Sequence, residues 1–133
     1  MTAPVFVALV ILTLAALYLV VLGVVALLRP EAAHRFLASF AQTRRANWIE
    51  AVVRGAVGLA FVVAAPVLPW PLAMRIIGAF LLLTAAAMPL FPDQHRRIAA
   101  RSVAGIAGWM RLIGVGSLLL AVALLAALFA ALE

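Results

Sequence analysis

The sequence predicts an all-α integral membrane protein built as a bundle of four transmembrane helices. Three observations predict it. Of the 133 residues, 69% are hydrophobic and only 11% are charged, where a soluble domain is nearer half apolar and a quarter charged. The apolar residues fall in four long runs, not in the short alternating segments of a barrel. Arginines gather in two of the connectors between the runs. A soluble fold of this size leaves too much surface exposed to hide so much apolar area, so lipid is the expected solvent for most of it.

The first span runs from about residue 4 to 28 and carries no charge. About 20 apolar residues cross a bilayer core, so it is long enough. It reads as a span and not as a signal peptide, because no basic region precedes it and Arg29-Pro30 follows in place of a small-residue cleavage site. Residues 29–47 are polar by contrast. Within them Glu31 to Thr43 reads as a short amphipathic helix. Phe36, Leu37 and Phe40 fall on one face and Arg35, Ser39 and Gln42 on the other, so it is expected to lie in the membrane surface.

The second span runs from about 48 to 65. Pro66, Pro69 and Pro71 then force a tight break. The third runs from about 72 to 90, with Pro89 bending or ending it. Residues 93–104 form a second basic connector, also expected to be interfacial, and the fourth span runs from about 108 to 132. The chain is one membrane domain.

Orientation follows from charge. Arg29, Arg35, Arg44 and Arg45 follow span one, and Arg96, Arg97 and Arg101 follow span three. The proline turn and the termini hold no arginine. Basic loops stay in the cytoplasm, so both termini are expected outside. All ten basic residues are arginine and the net charge is +6. Membrane orientation accounts for that charge, so no nucleic acid partner is expected; anionic lipid at the basic loops is. A second copy or another membrane protein is a further candidate partner. The Ala-, Val-, Leu- and Arg-rich, lysine-free composition resembles a GC-rich bacterial genome, which suggests a bacterial inner membrane.

The two basic connectors echo each other. Each begins Pro-acid, at Pro30-Glu31 and Pro92-Asp93, and continues His-Arg, at His34-Arg35 and His95-Arg96. A tryptophan follows each, Trp48 and Trp109. These matches suggest two parallel helical hairpins, with shared membrane-edge composition as the alternative source. A second echo competes: Met74-Arg75-Ile76-Ile77-Gly78 resembles Met110-Arg111-Leu112-Ile113-Gly114, on spans that run in opposite directions.

Four charges enter or border spans: Glu50, Arg54, Arg75 and Arg111. Such charges are costly in lipid and are functional suspects. With Trp48, Trp70 and Trp109 as interfacial markers, Arg54 lies roughly 9 Å inside, Arg75 about 7 Å from the opposite side, and Arg111 about 3 Å. Arg75 and Arg111 are expected to snorkel. Glu50 and Arg54 are four residues apart on one helix face. They read either as an intrahelical ion pair or, with Arg111, as a site for an anion such as lipid phosphate. Gly55, Gly58, Gly78 and Gly114 read as close helix contacts.

The chain has no cysteine, which excludes thiol catalysis, disulfides and thiolate metal sites. His34 and His95 lie outside the spans, so no haem, metal or other cofactor is expected. No serine has a histidine–carboxylate context, and an enzyme is not expected. The outline resembles the small multidrug resistance exporters, which carry a membrane-embedded glutamate in the first helix. Span one here offers only Thr13 and Tyr18, so Glu50 would have to take that part. The first expectation is a non-catalytic accessory, assembly or lipid-organising component; the alternative is a small oligomeric transporter using Glu50 and Arg54.

Overall fold

The computed structural model describes residues 1–39, 43–90, 97–98, 101–102, 105 and 107–133. The described residues contain helices and no strand. Helix α1 spans Ala3–Leu28, α2 Pro30–Ser39, α3 Arg44–Ala64, α4 Pro71–Leu90 and α5 Met110–Leu132. Four of these are long and apolar enough to cross a membrane: α1, α3 with the turn that continues it to Val67, α4 and α5. No more than a third of the tested stretch of each is buried within the chain. The rest presents side chains such as Leu14, Leu83 and Leu119 outward, as a lipid-facing surface requires.

Local chemistry sets the boundaries. Helix α1 ends at Arg29, whose amide donates to the Val25 carbonyl. Pro30 then opens α2, a position where its missing N–H costs nothing. Helix α3 starts at Arg44, four residues before the expected boundary, because the Thr43 hydroxyl accepts from the Ala46 amide at 3.0 Å and caps it. At its other end the chain tightens into a 3₁₀ turn over Ala65–Val67, and the Leu68 amide donates to the Ala64 and Ala65 carbonyls. Trp70 then adopts φ 53°, left-handed backbone that tryptophan rarely takes, and α4 begins. Pro89 sits in the last turn of α4, which ends at Leu90. A 3₁₀ turn over Ala107–Trp109 leads into α5.

The helices pack in the order α4–α3–α1–α5, with α2 laid against α1 and α5. Consecutive α3 and α4 form one tight antiparallel pair, while α1 and α5, distant in sequence, form the other. Among the described residues α4 and α5 make no extensive contact, so the four spans stand as a row of neighbours. At the proline-turn end all four contribute to one core: Leu9 and Leu12 of α1, Phe61 and Ala64 of α3, Met74 of α4 and Leu128 of α5. At the arginine-rich end a smaller core joins Ala26 of α1, Ala33 of α2 and Met110 of α5.

Glycine governs both tight pairs. A Cβ added at Gly58 would lie 2.9 Å from the Gly78 carbonyl oxygen, and one at Gly78 2.6 Å from that of Gly58. The other pair repeats the arrangement: Gly23 and Gly114 each sit with the partner's carbonyl oxygen 2.9 Å from the added Cβ. The flanking contacts match as well. Gly78 also meets Phe61 and Val62, three and four residues beyond Gly58, and Gly114 meets Ala26 and Leu27, three and four beyond Gly23. Backbones approach this closely only where no side chain intervenes. The echo between residues 74–78 and 110–114 thus falls on two matched crossings. Each helix buries its methionine, Met74 or Met110, and exposes the arginine that follows. The connector echo rests on Pro92, Asp93, His95 and Arg96, which lie outside the described residues, as do Phe40 and Gln42.

Candidate membrane-embedded polar site

Polar side chains inside lipid need partners near at hand, because water is absent. Two threonines find them on their own helices. Thr13 donates to the Leu9 carbonyl at 2.8 Å and Thr84 to that of Leu81 at 3.0 Å. The same economy joins the charged pair. The Arg54 guanidinium donates to Glu50 Oε1 one turn back on α3, both side chains being about a quarter exposed. The direction fits helix geometry: side chains lean toward the N-terminus, so Arg54 leans toward the acid and toward the arginine-rich end.

The crossing at Gly58 and Gly78 fixes the depth. Arg54 is four residues before Gly58 and adjoins Gly55, which faces Ala85 of α4. That level is roughly 7 Å from the end of α4 at Leu90. The Tyr18 ring meets Phe36 of α2 with centroids 6.3 Å apart, tilted at 51°.

The other candidates are placed separately. Arg111 is exposed in the first turn of α5, a helix that packs on α1 and α2. No hydrogen bond or ion pair joins it to Glu50 or Arg54. Arg75 is exposed on α4, flanked by the exposed Leu72 and Ile76. Trp48 lies in the second turn of α3, Trp70 just before α4 and Trp109 just before α5, and all three are exposed. Gly55 differs from the crossing glycines: a Cβ there would rest 3.6 Å from Ala85 Cβ, an ordinary contact.

One residue that the sequence reading did not single out belongs to this site. Asn47 is 1% exposed and its Oδ1 has no hydrogen-bond partner among the described residues. It shares a face with Glu50 and Arg54 at i, i+3, i+7 spacing, a signal present in the sequence. Gly23 was also passed over, inside a span read as uniformly apolar. Among the described residues no three His, Asp or Glu side chains gather as metal ligands.

What the arrangement offers chemically is a neutral pair of opposite charges, two helical turns inside one end of a spanning helix, on the same face as a buried, unpaired amide oxygen. Comparison with family models, with curated proteins and with solved structures found no match.

Proposed function

We propose that this chain is a non-catalytic component of a bacterial inner membrane, an accessory, assembly or lipid-organising protein that works through its helix faces. The observation that carries this reading is the containment of charge. Glu50 and Arg54 neutralise each other on a single helix, and the outward faces of α1, α4 and α5 are mostly apolar, with Arg75 and Arg111 exposed near the starts of α4 and α5. Such a surface associates with lipid or with other spanning helices. Arg29, Arg35, Arg44, Arg45, Arg97 and Arg101 are all exposed at one end, and basic residues there attract anionic lipid by about 1 kcal/mol each. In this reading the arginine-rich end is cytoplasmic, the termini are outside, and α2 lies in the interface. Ala33 and Leu37 of α2 then face the protein, with Glu31 and Arg35 outward.

The experiment is reconstitution in vesicles with spin-labelled lipid. A lipid-organising protein holds a motionally restricted lipid shell that survives Glu50→Gln, and it carries no proton-driven flux. The orientation is checked in cells, on a chain free of native cysteine. Thr2→Cys should react with an impermeant thiol reagent from outside, and Ser102→Cys only after permeabilisation.

A second reading is favoured by one observation. Asn47, Glu50 and Arg54 form a polar stripe along one face of α3. Under that reading the chain is a small oligomeric transporter in which Glu50 and Arg54 open to a substrate. Solute flux that Glu50→Gln abolishes would decide for it and against the first.

A further inference from the structure

The unsatisfied groups of this site specify a ligand. Asn47, Glu50 and Arg54 fall within about 60° of arc on α3. The Asn47 Oδ1 is buried and without a partner. Glu50 gives one carboxylate oxygen to Arg54, and its Oε2 has no partner among the described residues. Two unpaired acceptors, one buried and one on a part-exposed side chain, need N–H donors. Arg54 spends one amino group on Glu50 and keeps others for an anion, which guanidinium binds well as phosphate or carboxylate. The site is neutral as a whole, so a ligand with net charge would leave an uncompensated charge in lipid. A zwitterion would not.

Position narrows the choice. Asn47 lies in the first turns of α3 beside the exposed Trp48, at the level where head groups meet the hydrocarbon. Arg54 leans toward that level. A lipid head group can therefore enter sideways from the leaflet with its acyl chains still in hydrocarbon.

Building on the lipid-organising reading above, we propose that Asn47, Glu50 and Arg54 bind the head group of a zwitterionic phospholipid carrying a primary ammonium. The phosphate takes the free N–H groups of Arg54. The ammonium donates to Glu50 Oε2 and to Asn47 Oδ1, which turns toward Glu50 on the same face to receive it. A choline head group carries the same charges but no N–H, so it leaves the amide oxygen unsatisfied.

The test is native mass spectrometry of the purified full-length protein with equimolar phospholipids of one acyl composition and increasing N-methylation. Retention should fall stepwise as N–H donors are lost, with phosphatidylethanolamine held about tenfold over phosphatidylcholine, the scale of one charge-assisted hydrogen bond. Asn47→Leu should shrink the preference to the part that Glu50 Oε2 alone supplies, and Asn47→Asp, which keeps an oxygen acceptor, should retain more of it. Equal retention of all head groups by the unaltered protein would overturn the proposal, whether or not the variants fold. So would a preference unchanged in Asn47→Leu. Retention of phosphatidylglycerol regardless of ammonium would overturn it while leaving the lipid-organising reading standing; retention of no lipid would remove both. Displacement by free phosphoethanolamine at equal concentration would overturn the lipid as the source of the head group.

Discussion

Arg54 shows how a single residue sets the terms for its neighbours. A guanidinium that far inside a helix is tolerable because Glu50 sits one turn nearer the end toward which the side chain already leans. Removing one partner leaves the other as an unpaired charge in lipid. Glu50→Leu and Arg54→Leu should therefore each lower stability by roughly 2–4 kcal/mol, and the double variant should recover most of the loss. Thermal unfolding in micelles reads this directly; simple additivity of the two losses would contradict it. Asn47 behaves oppositely. Its buried, unpartnered oxygen makes Asn47→Leu stabilising by about 1–2 kcal/mol in lipid-free detergent. Trp70 stores backbone strain at φ 53°. Trp70→Gly should relieve about 1 kcal/mol, seen as a higher midpoint in micelles, where the loss of an interfacial anchor costs less. The Glu50–Arg54 pair was legible in the sequence through its spacing of four. Asn47 was not recognised, because it falls at the edge of a polar connector where an asparagine draws no notice. Only its burial separates it from a surface residue.

Helix lengths and identities were readable from hydropathy, and the described spans lie within a few residues of those expected. The differences have local causes. The start of α3 moved out to Arg44 because a threonine cap supports a turn that hydropathy scores as loop. The expected face of α2 centred on Phe36, Leu37 and Phe40, yet the helix buries Ala33 and turns Leu37 inward, leaving Phe36 to Tyr18. A small residue allows the closer approach that a phenylalanine would block. The glycines divide by what surrounds them, which sequence does not reveal. Gly58→Val would drive a side chain into the Gly78 carbonyl and Leu81, and should separate α3 from α4. Gly116 has nothing within 4 Å of an added Cβ, so Gly116→Ala should change stability by no more than about 0.5 kcal/mol. Parallel melts of the two variants check the contrast, and an equal loss in both would count against the crossing.

At the scale of the whole molecule, the sequence grouped the spans as they follow one another, first with second and third with fourth. The packing pairs second with third and first with fourth. Short connections keep α3 and α4 together, but the α1–α5 pair is made by glycine surfaces that become neighbours only after all spans are in place. Introduced cysteines make the order measurable. Gly55→Cys with Ala85→Cys, whose Cβ positions lie 3.6 Å apart, should form a disulfide readily. Leu83→Cys with Leu119→Cys, on the outward faces of α4 and α5, should not link within one chain. Efficient linking of the latter pair would mean a closed bundle.

The matched crossings also bear on biogenesis. The Gly58–Gly78 and Gly23–Gly114 pairs use the same offsets, and the helices carrying Gly78 and Gly114 enter the membrane from opposite faces. The packing code is therefore nearly the same whichever way up the molecule stands. Interhelical contacts cannot report to the insertion machinery which side is which. If the arginines of the connectors set the orientation, as proposed above, a chain with those charges moved to the proline turn and termini should assemble the same row upside down.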